Sequence, residues 1–166
     1  MLRAAYLAPG TASEHEDLWV ESMLTTVTGE DNYPGDGTES EHWPGFAPGT
    51  GGVLNTMAPT LVDTSGNVEA DPKPPVLWIH GSEDAIVSDQ SFFDFCMLGK
   101  AGAVPGWPGE EEAPPQPMKQ QIRDVLARYR DGGGEVTEVE LEGCGHSPHV
   151  ERLEEFRTAL LRLVTG

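Results

Sequence analysis

Read by the spacing of its apolar positions, the chain divides into a loop-rich first half and a second half of strands and helices. Leu18, Val20, Met23, Leu24 and Val27 give a rough helical stripe. Ser13 with Glu16 three residues on is a capping-box pattern before it, and Gly29 suits the exit. From Glu30 to about Gly52 the pattern dissolves into Gly, Pro, Asp and aromatics, as in Tyr33-Pro34-Gly35-Asp36-Gly37 and Trp43-Pro44-Gly45-Phe46. Prolines and glycines at that density punctuate against any long element, and the aromatics indicate an ordered loop packed on something. Val53 to Ala58 suits a short helix, and Asp63 to Pro75 reads as a polar approach to a strand.

Val76 to His80 is a short apolar run bounded by Pro75 and Gly81, the pattern of a strand buried on both faces of a parallel sheet. Ser88 suits the cap of a helix through about Leu98, with Phe92, Phe93, Phe95 and Leu98 as its bulk. After a second Pro/Gly-rich stretch, Pro117 sits well in the first turn of another helix. Met118, Ile122, Val125, Leu126 and Tyr129 share one face of it, and Gly132-Gly133-Gly134 end it. Val136 to Leu141 alternates with acids as a second strand, and Val150 to Val164 forms a last helix with Phe156, Leu160, Leu163 and Val164 inward. Strands joined through helices imply parallel pairing with a right-handed crossover. The expected class is α/β.

At 166 residues the chain can build one domain with a core. Its formal charge of −18 comes from 28 acidic and 10 basic residues. Such a surface repels phosphate backbones and anionic bilayers, so neither nucleic acid nor membrane is an expected partner. Cys96 and Cys144 lie far apart without C-x-x-C spacing, so no disulfide framework is expected. The apolar start is too short for a secretory signal, and no stretch approaches a membrane span. A soluble cytoplasmic protein is the default expectation.

Two short segments carry the candidate chemistry. Asp84 lies in a turn four residues beyond the first strand, where ligands and catalytic groups gather at carboxyl ends of parallel strands. Its bland alternative is a turn-forming Asp bonded to its own backbone. Asp89 is a competing acid, but it falls where a helix N-cap region wants negative charge. His146 follows Gly143-Cys144-Gly145, whose glycines let the backbone turn sharply. Its imidazole titrates near neutrality and suits a general base, against the bland reading of a loop histidine that merely hydrogen-bonds. An acid and a base on strand-end loops are two thirds of a hydrolytic triad.

The nucleophile is missing. None of the eight serines stands in Gly-x-Ser-x-Gly. The nearest approach, Gly145-His146-Ser147-Pro148-His149, fails because Pro148 has no N–H to offer an oxyanion. Neither cysteine has elbow spacing. His80-Gly81 raises a different assignment, an early oxyanion loop, but no elbow follows it whereas a base does. A metal module of Cys144, His146 and His149 lacks a further ligand in reach, so no metal and no cofactor are expected.

Taken together, Pro75 to Val87 resembles the strand and acid turn of the α/β-hydrolases, and Gly143 to Phe156 resembles their histidine loop and final helix. Leu153 stands where that family usually has Pro. Glu14 to Pro59 is a weaker match, similar to part of the family's lid. The resemblance implies a partial α/β-hydrolase fold: a lid segment over residues 1–71, then the C-terminal part of the core over 72–166. It implies nucleophilic catalysis of ester, amide or related bond hydrolysis, with Asp84 orienting His146 and His146 moving the proton. Trp43 and Phe46 would line an apolar substrate pocket. The earlier strands, the oxyanion loop and the nucleophile are absent, so a C-terminal segment inactive by itself is expected. Its partners would be a small-molecule substrate once an N-terminal half completes it, and that complementary chain. The alternative is a non-catalytic interaction module whose open strand edge pairs with a complementary half or a second copy.

Overall fold

The computed structural model describes residues 2–165. A π-helical turn (Leu2–Tyr6) leads to α1 (Glu16–Leu24), then to four short strands, β1 (Thr28–Gly29), β2 (Tyr33–Pro34), β3 (Gly37–Glu39) and β4 (Phe46–Pro48). Two 3-10 turns (Leu54–Met57 and Ser65–Glu69) precede β5 (Val76–Gly81), α2 (Phe95–Lys100), α3 (Met118–Asp131), β6 (Val136–Leu141), α4 (Pro148–Glu151) and α5 (Leu153–Thr165). The class is mixed α/β. Strands β5 and β6 are parallel, in register from Val76 opposite Val136 to Gly81 opposite Leu141. Strands β1 and β2 are also parallel, and β3 and β4 form an antiparallel pair.

The proline-rich first half is ordered by local polar ties. Asp36 Oδ1 accepts from the Gly51 N–H (2.7 Å) and from Asn55 Nδ2 (2.7 Å), and Asn55 also donates to the Gly51 carbonyl (2.7 Å). Asn55 is buried, so these bonds offset its desolvation. The β3–β4 pairing inside this stretch has no counterpart in the sequence reading, because three-residue strands containing Gly and Pro carry no alternation. The expected short helix over Val53 to Ala58 is a 3-10 turn.

Five expectations are corrected. The capping box does not form: Ser13 Oγ accepts from the His15 N–H (3.1 Å), while Glu16 pairs with Arg3. Helix α1 buries no residue, and Leu18 and Leu24 are exposed, because the helix leans on the rest of the protein along the narrow face of Trp19, Ser22 and Met23. No helix begins at Ser88; α2 starts at Phe95, capped by Asp94, whose carboxylate accepts from the Cys96 N–H (2.8 Å). Phe92, Phe93 and Phe95 are therefore exposed rather than forming the buried face of one helix. The last helix is interrupted at Arg152 (φ −134°, ψ 54°), and Leu160 and Val164 face solvent. Finally, β5 is not buried on both faces. Val76 to Ile79 are half-buried, since among the described residues β5 pairs with β6 alone.

Helix α3 matches its pattern best. Tyr129 is buried and donates its hydroxyl to the Pro74 carbonyl (2.6 Å), which fixes the approach to β5. Val125 is the exception on its inner face and is exposed. Buried apolar residues are few, namely Leu7, Ala8, Ala58, Ala113, Tyr129 and Cys144, and as many polar ones are buried beside them. Three of those apolar residues, Leu7, Ala8 and Cys144, meet at the loop that follows β6. No helix among the described residues is long and apolar enough to cross a membrane.

Candidate functional site

The carboxyl ends of β5 and β6 are fastened together loop to loop. The Ser82 N–H donates to the Leu141 carbonyl (3.0 Å), the Glu83 N–H to the Cys144 carbonyl (2.9 Å), and the Gly143 N–H to Ser82 Oγ (2.9 Å). Gly81 allows this approach: a methyl built on it lands on the carbonyl oxygens of Cys144 and Gly145, inside van der Waals contact. Lys119, buried on α3, donates to the Gly81 carbonyl (2.8 Å) and anchors the strand end from the other side. Gly143 takes a positive φ of 60°, the sharp turn its position in the motif requires.

Asp84 and His146 meet in that frame. His146 Nδ1 lies 3.0 Å from Asp84 Oδ2 and 3.2 Å from Oδ1. Asp84 also accepts from the Ile86 N–H (2.8 Å) and the Val87 N–H (3.0 Å). It is thus both the turn-former and the partner of the imidazole, and the two readings of this residue are compatible. Asp84 is buried, while one third of the His146 side chain is exposed. Burial pushes the Asp84 carboxyl up, but the bonds from His146, Val87 and Ile86 together outweigh it and hold the group below its ordinary range. The same hydrogen bond to Asp84, opposed by burial and helped by the carboxylate charge, raises the His146 imidazole. Among the described residues Nε2 of His146 has no hydrogen-bond partner, so the nitrogen opposite the carboxylate is free to exchange a proton.

Asp89 serves elsewhere. Its Oδ1 accepts from the Lys119 N–H (2.8 Å) and the Gln120 N–H (3.1 Å), capping α3 from thirty residues away. Negative charge does sit at a helix start, but at a different helix from the one the sequence suggested. His149 is exposed and packs edge-on to Phe156 (6.0 Å between centroids). Cys144 Sγ lies 3.8 Å from Glu151 Oε1. Burial, then the Glu151 carboxylate, pushes the Cys144 thiol up to about 11, so it is not a nucleophile near neutrality. Thiol titration with DTNB checks this: one thiol, Cys96, reacts in the native state and Cys144 reacts only after denaturation.

Trp43 and Phe46 have other neighbours. The Trp43 indole donates to the Pro105 carbonyl (3.0 Å), and Phe46 stands edge-on to Phe95 (5.0 Å). The ring against His146 is Tyr6, edge-on at 5.7 Å, and the Tyr6 hydroxyl is raised by its burial and by Tyr33. Beside it a small apolar pocket of about 160 Å³ is lined by Leu2, Tyr6, Trp19, Met23 and Val150, with Ser147 at its edge. Tyr6 has no signal in sequence spacing, since 140 residues separate it from His146.

One further cluster lies on the sheet face under α3. His80 Nε2 is 3.0 Å from Glu138 Oε1 and 3.8 Å from Glu140 Oε2. Ligand atoms of these three lie within 4.8 Å of one another, the closest approach to a metal-ligating set among the described residues. Arg123 already donates to both carboxylates (2.8 and 2.9 Å), so an ion would have to displace a guanidinium. The Trp78 ring stacks on the buried imidazole at 4.0 Å. No family model, no curated protein and no solved structure matches the chain.

Proposed function

We propose that Asp84 and His146 are the acid and base of a hydrolase of the α/β-hydrolase type, completed by a nucleophile from polypeptide outside these 166 residues. The observation that carries the reading is the 3.0 Å contact between His146 Nδ1 and a buried carboxylate, with Nε2 left free. In the proposed reaction Nε2 takes the proton of a hydroxyl or thiol as that group attacks the carbonyl carbon of an ester or amide. Asp84 stays ionised and stabilises the imidazolium, which then returns the proton to the leaving group. An external nucleophile is supported by two features of the chain: no serine has elbow context, and burial raises the Cys144 thiol.

A second reading, a non-catalytic module that pairs through its sheet, is favoured by one observation. Among the described residues β5 pairs with β6 alone, which leaves a strand edge open, and a groove of about 440 Å³ between the sheet and α5 is lined by Pro75, Leu77, Thr137, Val139, Ala159 and Leu163. The first reading calls for a complementary polypeptide, the second for a complementary half or a second copy of the chain. They differ in whether the acid–base pair is used.

A fluorophosphonate probe tests the first reading. The 166-residue polypeptide is expected to remain unlabelled at every serine. Covalent labelling that disappears in His146→Ala would contradict it, because a nucleophile would then lie within the chain.

A further inference from the structure

We infer that Glu151 is a positioning residue for His146, an inference that rests on reading Asp84 and His146 as an acid–base pair. One carboxylate holds two separate stretches of chain. Its Oε1 accepts from the Gly145 N–H (2.9 Å) and faces Cys144 Sγ (3.8 Å). Its Oε2 accepts from the Ala8 N–H (2.7 Å) and from Thr11 Oγ1 (3.0 Å).

The residues it holds are those that aim the two rings of the site. Gly145 immediately precedes His146, and Ala8 follows Tyr6 by two. The two stretches also touch directly. A methyl built on Gly145 would stand 2.6 Å from the Ala8 nitrogen and 2.7 Å from the Leu7 carbonyl carbon. Leu7, Ala8 and Gly145 are all buried, so the carboxylate sits at a closed seam. A rotation of the loop about Gly145 would carry the imidazole away from Asp84, and a shift at Ala8 would carry Tyr6 away from the imidazole.

The donor set explains why a carboxylate stands here. Glu151 receives two backbone N–H groups and a hydroxyl on its two oxygens and needs no donor of its own. An amide would turn an NH2 toward one of these donors and could serve only one side of the seam. An alanine would leave the buried N–H groups of Gly145 and Ala8 without partners.

The test is an NMR titration of the His146 imidazole in the full chain, with Glu151→Ala, Glu151→Gln, Thr11→Val and Asp84→Asn beside wild type. Wild-type His146 is expected to titrate above its ordinary value of 6.5. Glu151→Ala is expected to move it down toward 6.5 and to remove the Tyr6–His146 ring contact in NOE spectra. Glu151→Gln moves it the same way by less, which keeps the test open should the alanine variant not fold. Thr11→Val, which removes one donor without touching Gly145, leaves His146 in place. An unchanged His146 in a folded Glu151→Ala or Glu151→Gln variant overturns the positioning role, as does an equal shift in Thr11→Val. Asp84→Asn separates the two levels. If it leaves His146 unmoved, the pairing itself is wrong; if it moves His146 and the Glu151 variants do not, only this inference fails.

Discussion

Gly81→Ala destabilises the protein by about 3 kcal/mol, whereas Gly66→Ala leaves stability within about 0.5 kcal/mol of wild type. The Gly81 methyl would meet two backbone oxygens, those of Cys144 and Gly145. Backbone cannot rotate aside as a flexible side chain can, so β5 and the histidine loop must separate. That separation also breaks the Glu83–Cys144 hydrogen bond and draws His146 from Asp84. Gly66 is the matched control, with open space where its Cβ would stand and no positive φ. Urea denaturation of the two variants gives both numbers, and the His146 resonances report the loop. Equal stability for the two would mean that the strand end and the loop are not held in contact.

Asp84→Asn lowers stability by about 2 kcal/mol at pH 5, the cost of a hydrogen bond to a charged group, and by progressively less as the pH rises above neutrality. The sign follows from the two partners. His146 is raised in the fold, so its contribution is complete below 6.5 and is lost as the pH climbs through its folded value. Asp84 is lowered, so its contribution is present above 3.8 and is lost as the pH falls through its folded value. The difference between wild type and Asp84→Asn therefore peaks between those limits and narrows on both sides. Denaturant midpoints across pH 3 to 9 measure it. A difference that grows steadily toward alkaline pH would exclude a protonated His146 as the partner.

The parts of the fold legible in the sequence were those with strong local patterns. Strands β5 and β6 and helix α3 carry an apolar run, an acid alternation and a helical face, each bounded by Pro or Gly. Asp84 and His146 were legible for a related reason, since each follows a strand within a few residues and the strand fixes which way its loop points. The failures came where local pattern and burial part company. Leu18 and Leu24 look like an inward stripe, yet α1 rests on a seam too narrow to cover them. Phe92 and Phe93 suggest a packed helix, but Ser91 and Asp94 hold that stretch in turns by accepting the Phe93 and Cys96 N–H groups. Tyr6 against His146, and Glu151 against Ala8 and Thr11, were out of reach because these partners lie about 140 residues apart. No spacing rule joins Ala8 to Glu151; only the folded seam does.

The state of one imidazole bears most directly on the whole account. Titrating His146 by NMR in wild type and in Asp84→Asn is predicted to give a wild-type midpoint above 6.5 that falls in the variant. Identical midpoints in the two proteins would show that the carboxylate does not hold the imidazole in solution, and no acid–base pair would be left for a nucleophile to use.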